Sequence, residues 1–94
     1  PASDVAVALA LVSSMTDRII PDDVIALGEL GLGGECRAVS NLEVRIHEAE
    51  RIGFRRVIVP YRNVEKRKID CGVELIPIRG IYEALKVLVV PDDK

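Results

Sequence analysis

Aromatic side chains are scarce in this chain. Its 94 residues include two tyrosines and one phenylalanine but no tryptophan, whereas 49% of the residues are apolar and the mean hydropathy is +0.23. The core must therefore consist of valine, isoleucine, leucine and alanine, and it is large for one domain of this length. This surplus indicates that part of the apolar surface meets another domain or subunit, or that the chain belongs to something larger.

Long apolar runs are also absent. No run approaches the roughly 18 residues that span a bilayer, and no basic segment precedes an apolar one as in a secretory signal. We therefore expect a cytoplasmic protein that has no membrane partner.

Cysteine and histidine are too few to indicate a metal centre. Cys36 and Cys71 have no close spacing, which gives no support to a zinc site, and a reducing compartment disfavours a disulfide. We expect both cysteines to be small core residues. His47, the single histidine, has no partner at ligand spacing, and we expect it at the surface or its boundary. The glycines of GLGG, residues 31–34, do not form a phosphate loop because no GK[ST] follows them.

Charge is segregated along the sequence, although the net charge is only −2. Residues 1–50 carry three basic and nine acidic side chains, while residues 51–68 carry seven basic ones against Glu65 alone. The second segment has a local excess of about six positive charges, which would suit nucleic acid or an acidic surface of a partner subunit.

The first half of the chain predicts a helix followed by a hairpin. The helix is capped by Ser3 or Asp4, is apolar on every face through VAVALALVSSM, and ends near residues 16–17, a pattern typical of a buried helix. A buried helix so near the first residue predicts a domain truncated on its N-terminal side. Residues 24–30 predict a central strand buried on both faces. The positive-φ positions of a tight turn are assigned to Gly31, Gly33 and Gly34, and residues 35–39 form the second arm of the hairpin.

The next helix has the clearest signals. Ser40 and Glu43 form an S-x-x-E capping box, with Val39 and Val44 at the staple positions. Gly53 predicts the end of the helix. Its buried stripe is predicted to consist of Leu42, Ile46, Ala49 and Ile52.

The rest of the chain predicts two strands and a closing helix. The strands are residues 57–59, ended by Pro60, and residues 73–78, with a basic connection over residues 61–71 that has room for one helical turn. The closing helix covers residues 81–89, with Leu85, Leu88 and Val89 inward. Strand, helix and strand at this spacing imply a parallel β-α-β unit with a right-handed crossover. The whole chain, residues 1–94, is thus predicted to be one α/β (α+β) domain with a β-hairpin, a parallel β-α-β unit and packed helices.

Three motifs together resemble a known family. PASD opens the chain, GELGLGGECRAVSNLE covers residues 28–43, and EAERIGFRRVIVP covers residues 48–60. They are similar to the peptidase domain of Lon-type proteases, and more closely to the Lon-like carboxy-terminal domain of the RadA (Sms) family of bacterial DNA repair proteins. The resemblance extends to about residue 88 and is strong up to Pro60.

The resemblance implies where a catalytic serine and lysine would lie. By motif position the serine falls on Ala2 and the lysine on Arg45, and the threonine often found before the G-E pair is Leu27. Alanine has no nucleophilic oxygen, and arginine stays protonated, so it cannot act as a general base. Ser3 is one residue away, but one residue turns a helical side chain by about 100 degrees. We therefore expect Ser3 to be a helix cap and the chain to lack peptidase activity.

The basic residues remain as candidates for function. The candidate nucleic-acid contacts are Arg55, Arg56, Arg62, Lys66, Arg67 and Lys68. Two of them precede the strand at residues 57–59 and four follow it, so they need not form one surface, and a solvated loop is the alternative. Contact with DNA would be through phosphates, with weak, salt-dependent and sequence-independent binding, because Tyr61 is the only aromatic residue nearby.

The resemblance also implies the setting of the domain. It implies a bacterial parent protein with a zinc-binding segment and a RecA-like ATPase upstream, which uses ATP and Mg²⁺ and acts on single-stranded or branched DNA in recombination and repair. The Lon-like domains would assemble as a hexameric ring. No ATPase activity is expected of this chain itself, and no cofactor or metal is expected in it. A Lon-fold interaction module of other purpose and an active serine–lysine peptidase are the alternatives.

Overall fold

The computed structural model describes residues 4–91, which combine four helices with five short strands. This arrangement confirms the predicted α/β class, the hairpin and the helical turn in the basic connection. The elements are, in chain order, α1 (Val5–Thr16), β1 (Val24–Ala26), β2 (Glu29–Leu30), β3 (Cys36–Arg37), α2 (Leu42–Ile52), β4 (Arg56–Pro60), α3 (Tyr61–Val64), β5 (Glu74–Ile78) and α4 (Ile81–Leu85).

Three of the strands form a parallel sheet in the order β1-β4-β5. Ile25 of β1 lies opposite Val57 of β4, and Ile58 of β4 lies opposite Ile76 of β5. The segment that contains α2 connects β1 with β4, which confirms the predicted parallel β-α-β unit. The central strand is a continuous apolar run because helices cover the sheet on both faces.

The side chains of β4 alternate between two apolar cores. Ile58 packs with the buried residues of α1 and α4, whereas Val57 and Val59 pack with the stripe of α2, and all three are fully buried. Each buried valine or isoleucine stabilises the fold by about 1.5–3 kcal/mol relative to its exposed form. One strand of five residues therefore holds both layers of helices in place.

The predicted central strand at residues 24–30 is wrong in two respects. The segment divides into β1 and β2, and β1 lies at an edge of the sheet. The division occurs at Gly28, whose φ of +142° turns the chain out of the sheet. Pairing with β4 ends where the Leu27 N–H donates to the carbonyl of Ile58, at 2.8 Å, and the Gly28 carbonyl then accepts the N–H of Val5 at 3.1 Å.

The hairpin forms as expected, but its turn uses fewer special glycines than predicted. Leu30 pairs with Cys36 in the antiparallel ladder. Gly34 has a positive φ of +87°, while Gly31 and Gly33 do not. A Cβ atom at Gly31 would meet the carboxylate of Glu35, an exposed side chain that can move aside.

The predicted capping box of α2 does not form. The N-cap is Asn41 in the left-handed conformation, without a side-chain cap bond, and Val44 is 68% exposed and provides no staple. The entry to the helix is fixed from a distance instead. Asn63 pairs with the backbone of Val39, accepting its N–H and donating to its carbonyl, both at 2.9 Å.

The buried stripe of α2 and the residue at which the helix ends agree largely with the prediction from the sequence. Leu42, Ile46 and Ala49 are buried as predicted, but Ile52 in the last turn is 63% exposed. The helix ends at Gly53, whose N–H donates to carbonyls of the preceding turn and whose φ is +121°.

Helix α1 has the predicted length but is not buried all round. Asp4 caps it by accepting the N–H of Ala6 at 2.7 Å; Ser3, the other predicted cap, lies outside the described residues. Within residues 4–91 the protein covers one side of this helix and leaves Val7, Leu11 and Met15 exposed, by 39%, 54% and 75%. None of the helices in this range has the length and apolarity required to cross a membrane.

The closing helix is shorter than predicted. It ends at Leu85, and Val89 is 43% exposed although Leu88 is buried as expected. The reason is that Val89 exchanges two backbone hydrogen bonds with Ile19, at 2.9 and 3.0 Å, which draws the chain out of the helical path.

Gly28→Ala should destabilise the chain more than Gly53→Ala. Both glycines have positive φ, and alanine at either position incurs a strain of about 1–3 kcal/mol. At Gly28 the new Cβ would also lie 3.0 Å from the Cys36 sulfur, whereas at Gly53 nothing lies within 4 Å. Denaturant unfolding of the two variants measures the difference, and equal losses would show that the contact with Cys36 is of no consequence.

Candidate functional site

The parallel sheet brings the residues that follow its strands to one side, which we call the carboxyl edge. It contains residues 27–28 after β1, residues 61–62 after β4 and residues 79–80 after β5. Ligands of open α/β sheets bind outside the carboxyl ends of the strands. The carboxyl edge is therefore where a ligand of this sheet is expected to bind.

Arg45 lies in an open pocket of about 320 Å³ at the end of β1. The pocket is bordered by the start of α1, through Asp4, and by the hairpin and α2. Ala2 and Ser3 lie outside the described residues, but Asp4, the next residue, shares the pocket with Arg45. The structure thus brings the arginine at the lysine position of the Lon motif to the beginning of α1.

The chemistry available in this pocket is limited. Its described lining includes Leu27 at the threonine position and four polar side chains: the hydroxyl group of Ser40, the guanidinium group of Arg45 and the carboxylates of Asp4 and Glu29. The guanidinium group holds its proton at all physiological pH values, so it can bind an anion but cannot activate a hydroxyl group. The described part of the pocket therefore combines a cation with two carboxylates and has no amine that could serve as the base of a serine–lysine pair.

The six basic candidates do not form one surface. Arg55 and Arg56 lie at the amino end of β4, and the other four follow its carboxyl end. Four residue steps of a strand separate Arg56 from Pro60, a distance of about 13 Å. The sequence left this question open, and the structure separates the two groups.

Arg56 is held in a structural ion pair. Its guanidinium donates two hydrogen bonds to the carboxylate of Asp23, at 2.9 and 3.1 Å, in the bidentate geometry that favours arginine. The Asp23 carbonyl accepts the N–H groups of Arg55 and Arg56, both at 3.0 Å. The bond from Arg56 lowers the pKa of Asp23 below its ordinary value. We therefore assign Arg56 to the stability of the sheet.

The basic residues after β4 are exposed on α3 and the following loop. Lys66, Arg67 and Lys68 border an open groove of about 620 Å³, whose apolar lining includes Leu75. Arg67 also pairs with Glu43 of α2 at 3.0 Å, and an exposed pair of this kind contributes about 0–1 kcal/mol. Such a weak pair leaves Arg67 able to exchange its partner for a phosphate.

The sequence did not identify Arg79 as a site residue. It follows β5 as Tyr61 follows β4, and its guanidinium carbon lies 4.2 Å from the centre of the Tyr61 ring, a cation–π contact. These two residues and Arg62 line a cleft of about 290 Å³. The parallel arrangement of two consecutive strands is the signal that could have revealed it, because their carboxyl ends meet at one edge. Tyr82, in the first turn of α4, is a second aromatic residue that was missed near this edge.

The remaining polar candidates have structural surroundings. Cys36 is buried in the core as predicted, and burial raises the pKa of its thiol, so it stays protonated. Cys71, also free, is half-buried. His47 is exposed as expected, with Nε2 3.1 Å from the carbonyl oxygen of Asp70. Within the range 4–91, three or more metal-liganding side chains do not come together at any point.

Comparison with known proteins identifies the family. A family model of the Lon protease (S16) C-terminal proteolytic domain matches residues 1–90. The chain belongs to this family. The predicted resemblance to RadA is confirmed as well, since the chain is 44% identical to the DNA repair protein RadA of Synechocystis over 87 residues and of Escherichia coli over 85 residues. These alignments cover 93% and 90% of the chain but 17% and 18% of the relatives, so it spans less than a fifth of their length.

Asp23→Asn should make this Lon-type domain less sensitive to acid. Because Arg56 lowers the pKa of Asp23 in the folded state, the carboxylate stabilises the fold above the pKa of unfolded aspartate. This contribution disappears as the pH falls below about 4 and passes through the lowered pKa. The free energy of unfolding should therefore decrease less steeply over this range in Asp23→Asn than in the wild type. Asp22→Asn, outside the ion pair, is the control, and an unchanged slope in Asp23→Asn would contradict the assignment.

Proposed function

We propose that this chain is a Lon-type domain without peptidase activity, which provides DNA contact and oligomeric assembly to a RadA-type repair protein. The observation that carries the proposal is Arg45, which occupies the lysine position of the motif and lies in the pocket at the start of α1. The relatives to which the chain is 44% identical are named DNA repair protein RadA.

Loss of peptidase activity follows from two residue types. A serine–lysine dyad needs a hydroxyl nucleophile and an amine that gives up its proton near neutral pH. By motif position the chain has Ala2 for the first and Arg45 for the second. Arginine preserves the positive charge of lysine, but its pKa is too high for it to accept a proton from a hydroxyl group.

We expect no hydrolysis of fluorogenic peptides or of an unfolded protein substrate above the buffer background. Ser3→Ala tests the hydroxyl group next to Ala2, and Ser40→Ala tests the one that lines the pocket with Arg45. Release of fluorophore measures the activity over a range of pH. Cleavage by the wild type that either variant abolishes would contradict the proposal, because it would show a displaced nucleophile.

The DNA contact is assigned to the exposed basic residues after β4, mainly Arg62, Lys66 and Lys68. They lie on α3 and a polar loop, where long side chains can follow a phosphate backbone without rearrangement of the core. Phosphate neutralisation releases counterions, so binding of this kind depends on salt and not on base sequence. Glu65 lies in the same segment and the net charge of the chain is −2, so the affinity of one domain is expected to be low.

Arg62→Glu should weaken DNA binding much more than Arg55→Glu. The two arginines are both exposed and undergo the same change of charge, but they lie at opposite ends of β4. Fluorescence anisotropy with a labelled oligonucleotide measures the affinity between about 50 and 200 mM salt. The plot of log K against log salt should become shallower in Arg62→Glu by about 0.7–0.9 for each phosphate contact that is lost. Salt-independent binding, or equal losses in the two variants, would support an interaction module of other purpose.

Assembly is assigned to the exposed apolar face of α1, which is formed by Val7, Leu11 and Met15. Contiguous exposed apolar surface in a soluble domain marks a site that another domain or subunit covers. We propose that the chain is one domain, that it forms a homo-oligomer, hexameric in the parent protein, and that ATP, Mg²⁺ and Zn²⁺ bind to other parts of that protein.

A further inference from the structure

Strand β5 has an unpaired edge. Within residues 4–91 it is the last strand of the parallel sheet, with β4 on one side and no strand on the other. The N–H of Glu74 donates to the carbonyl of Arg55, directly before β4, at 2.9 Å, so the backbone groups of Glu74 face β4. Backbone groups of successive strand residues face opposite edges, and those of Leu75 and Pro77 therefore point away from the sheet. We call these outward groups the free edge, and such an edge is a template for another extended chain.

The free edge is short and has a defined pattern. Leu75 offers a donor and an acceptor, whereas Pro77 offers only its carbonyl. Proline with its nitrogen on the solvent side of an edge strand removes no bond from the sheet. Just past the strand, the Arg79 carbonyl accepts the N–H of Cys36 from the hairpin, at 2.7 Å. The edge is therefore open to a few residues of an added strand and is closed at its carboxyl end.

An apolar groove lies beside the free edge. Its volume is about 620 Å³, and its apolar lining consists of Val64, Ile69, Leu75 and Pro77. Leu75 lies opposite Val57 of β4, and its side chain is therefore on the α2 side of the sheet. In an added strand, every second side chain would point to that side and reach the groove. The edge can thus provide main-chain hydrogen bonds and the groove can select side chains, which are the two parts of recognition by strand addition.

The rim of the groove is basic. Lys66, Arg67 and Lys68 are consecutive and exposed, and Glu65 is the one acidic residue of the lining. Arg67 pairs with Glu43, whereas neither lysine forms an ion pair within residues 4–91. Carboxylates of a bound peptide would therefore find two cations that are not already paired. A nucleic-acid backbone could pair with the same cations, but it would leave the apolar groove unfilled.

We propose that the free edge of β5 and its groove bind an extended acidic segment of a partner protein, which adds a strand to the sheet. Its apolar side chains enter the groove and its carboxylates pair with Lys66 and Lys68. The unpaired backbone groups of Leu75 and the charge complementarity at the rim support this occupant. The inference goes beyond the DNA contact proposed above and shares the two lysines with it, so the two ligands would compete.

The rhodamine-labelled heptapeptide EDVTVDE is the probe for this site. Its valines are two residues apart, on one face of an extended chain, and both of its ends are acidic. Fluorescence anisotropy should show binding that weakens with salt, while KKVTVKK, which has the same centre and basic ends, should not bind. Lys66→Glu and Lys68→Glu should each reduce the affinity for EDVTVDE about 2- to 10-fold. Lys86→Glu, an exposed residue outside the groove, is the matched control.

Hydrogen exchange at two neighbouring amides tests strand addition directly. The N–H of Ile76 faces β4 and should exchange slowly with or without the peptide, whereas the N–H of Leu75 should become protected only when EDVTVDE is bound. Pro77→Val adds a donor to the free edge and keeps an apolar side chain. This variant should therefore raise the affinity for the peptide about 2- to 10-fold.

The outcomes separate this inference from the proposed function. Protection of the Leu75 amide by EDVTVDE, with affinity lost in Lys66→Glu and retained in Lys86→Glu, supports strand addition. No binding at low salt, equal affinity for KKVTVKK, or binding that leaves the Leu75 amide unprotected refutes it. If an oligonucleotide protects this amide and the peptide does not, nucleic acid occupies the edge, and the inference fails while the DNA contact stands. Peptide binding without any oligonucleotide binding supports the inference and refutes the DNA contact alone.

Discussion

The burial of β4 on both faces is the constraint on which the other elements depend. Val57 and Val59 contact the α2 side, and Ile58 contacts the α1 and α4 side, so each helix layer packs against the same strand. Because interiors are close-packed, a change in the position of this strand would move both layers. The strand also determines where the two ends of the sheet lie. Arg56 anchors its amino end through Asp23, and Tyr61 follows its carboxyl end.

This arrangement gives similar basic residues different roles. Arg56 and Arg62 are six positions apart in the sequence and lie at opposite ends of β4. The first forms a bidentate pair with a carboxylate that a neighbouring connection supplies, while the second remains exposed on a short helix beside the carboxyl edge. A count of charges over residues 51–68 includes both arginines without distinction. Their positions in the fold distinguish Arg56, which stabilises the sheet, from Arg62, which is a candidate nucleic-acid contact.

The parts of the fold that depend on local pattern could be predicted from the sequence. The stripe of α2, its end at Gly53 and the apolar run of β4 follow from periodicity and from a residue with special backbone freedom. The start of α2 could not be predicted in this way, because Asn63, more than 20 residues away, fixes it through the backbone of Val39. Arg79 was missed for the same reason, since its contact with Tyr61 exists only once β4 and β5 pair.

The apolar sequence of α1 shows a different limit. An apolar sequence pattern indicates that a helix face is buried, but it does not indicate which part of the protein, or which other protein, covers that face. The predicted burial holds for Leu9, which packs in this domain, and fails for Leu11 and Met15, which are exposed in it. The apolar residues on the exposed side of α1 therefore have no explanation in the packing of residues 4–91.

The pocket of Arg45 and the cleft of Tyr61 and Arg79 lie at the same edge of the sheet and are separate sites. In a serine–lysine peptidase this edge requires a group that releases its proton, and arginine excludes that step while it keeps the charge. The same fold can therefore present a permanent cation at this edge in place of a titratable amine. Fold does not determine function, and the proposed loss of peptidase activity in this fold rests on two residues, Ala2 and Arg45. Under the function proposed above, arginine at the lysine position leaves the pocket a charged group for binding but not the titratable amine that a serine–lysine peptidase uses for turnover.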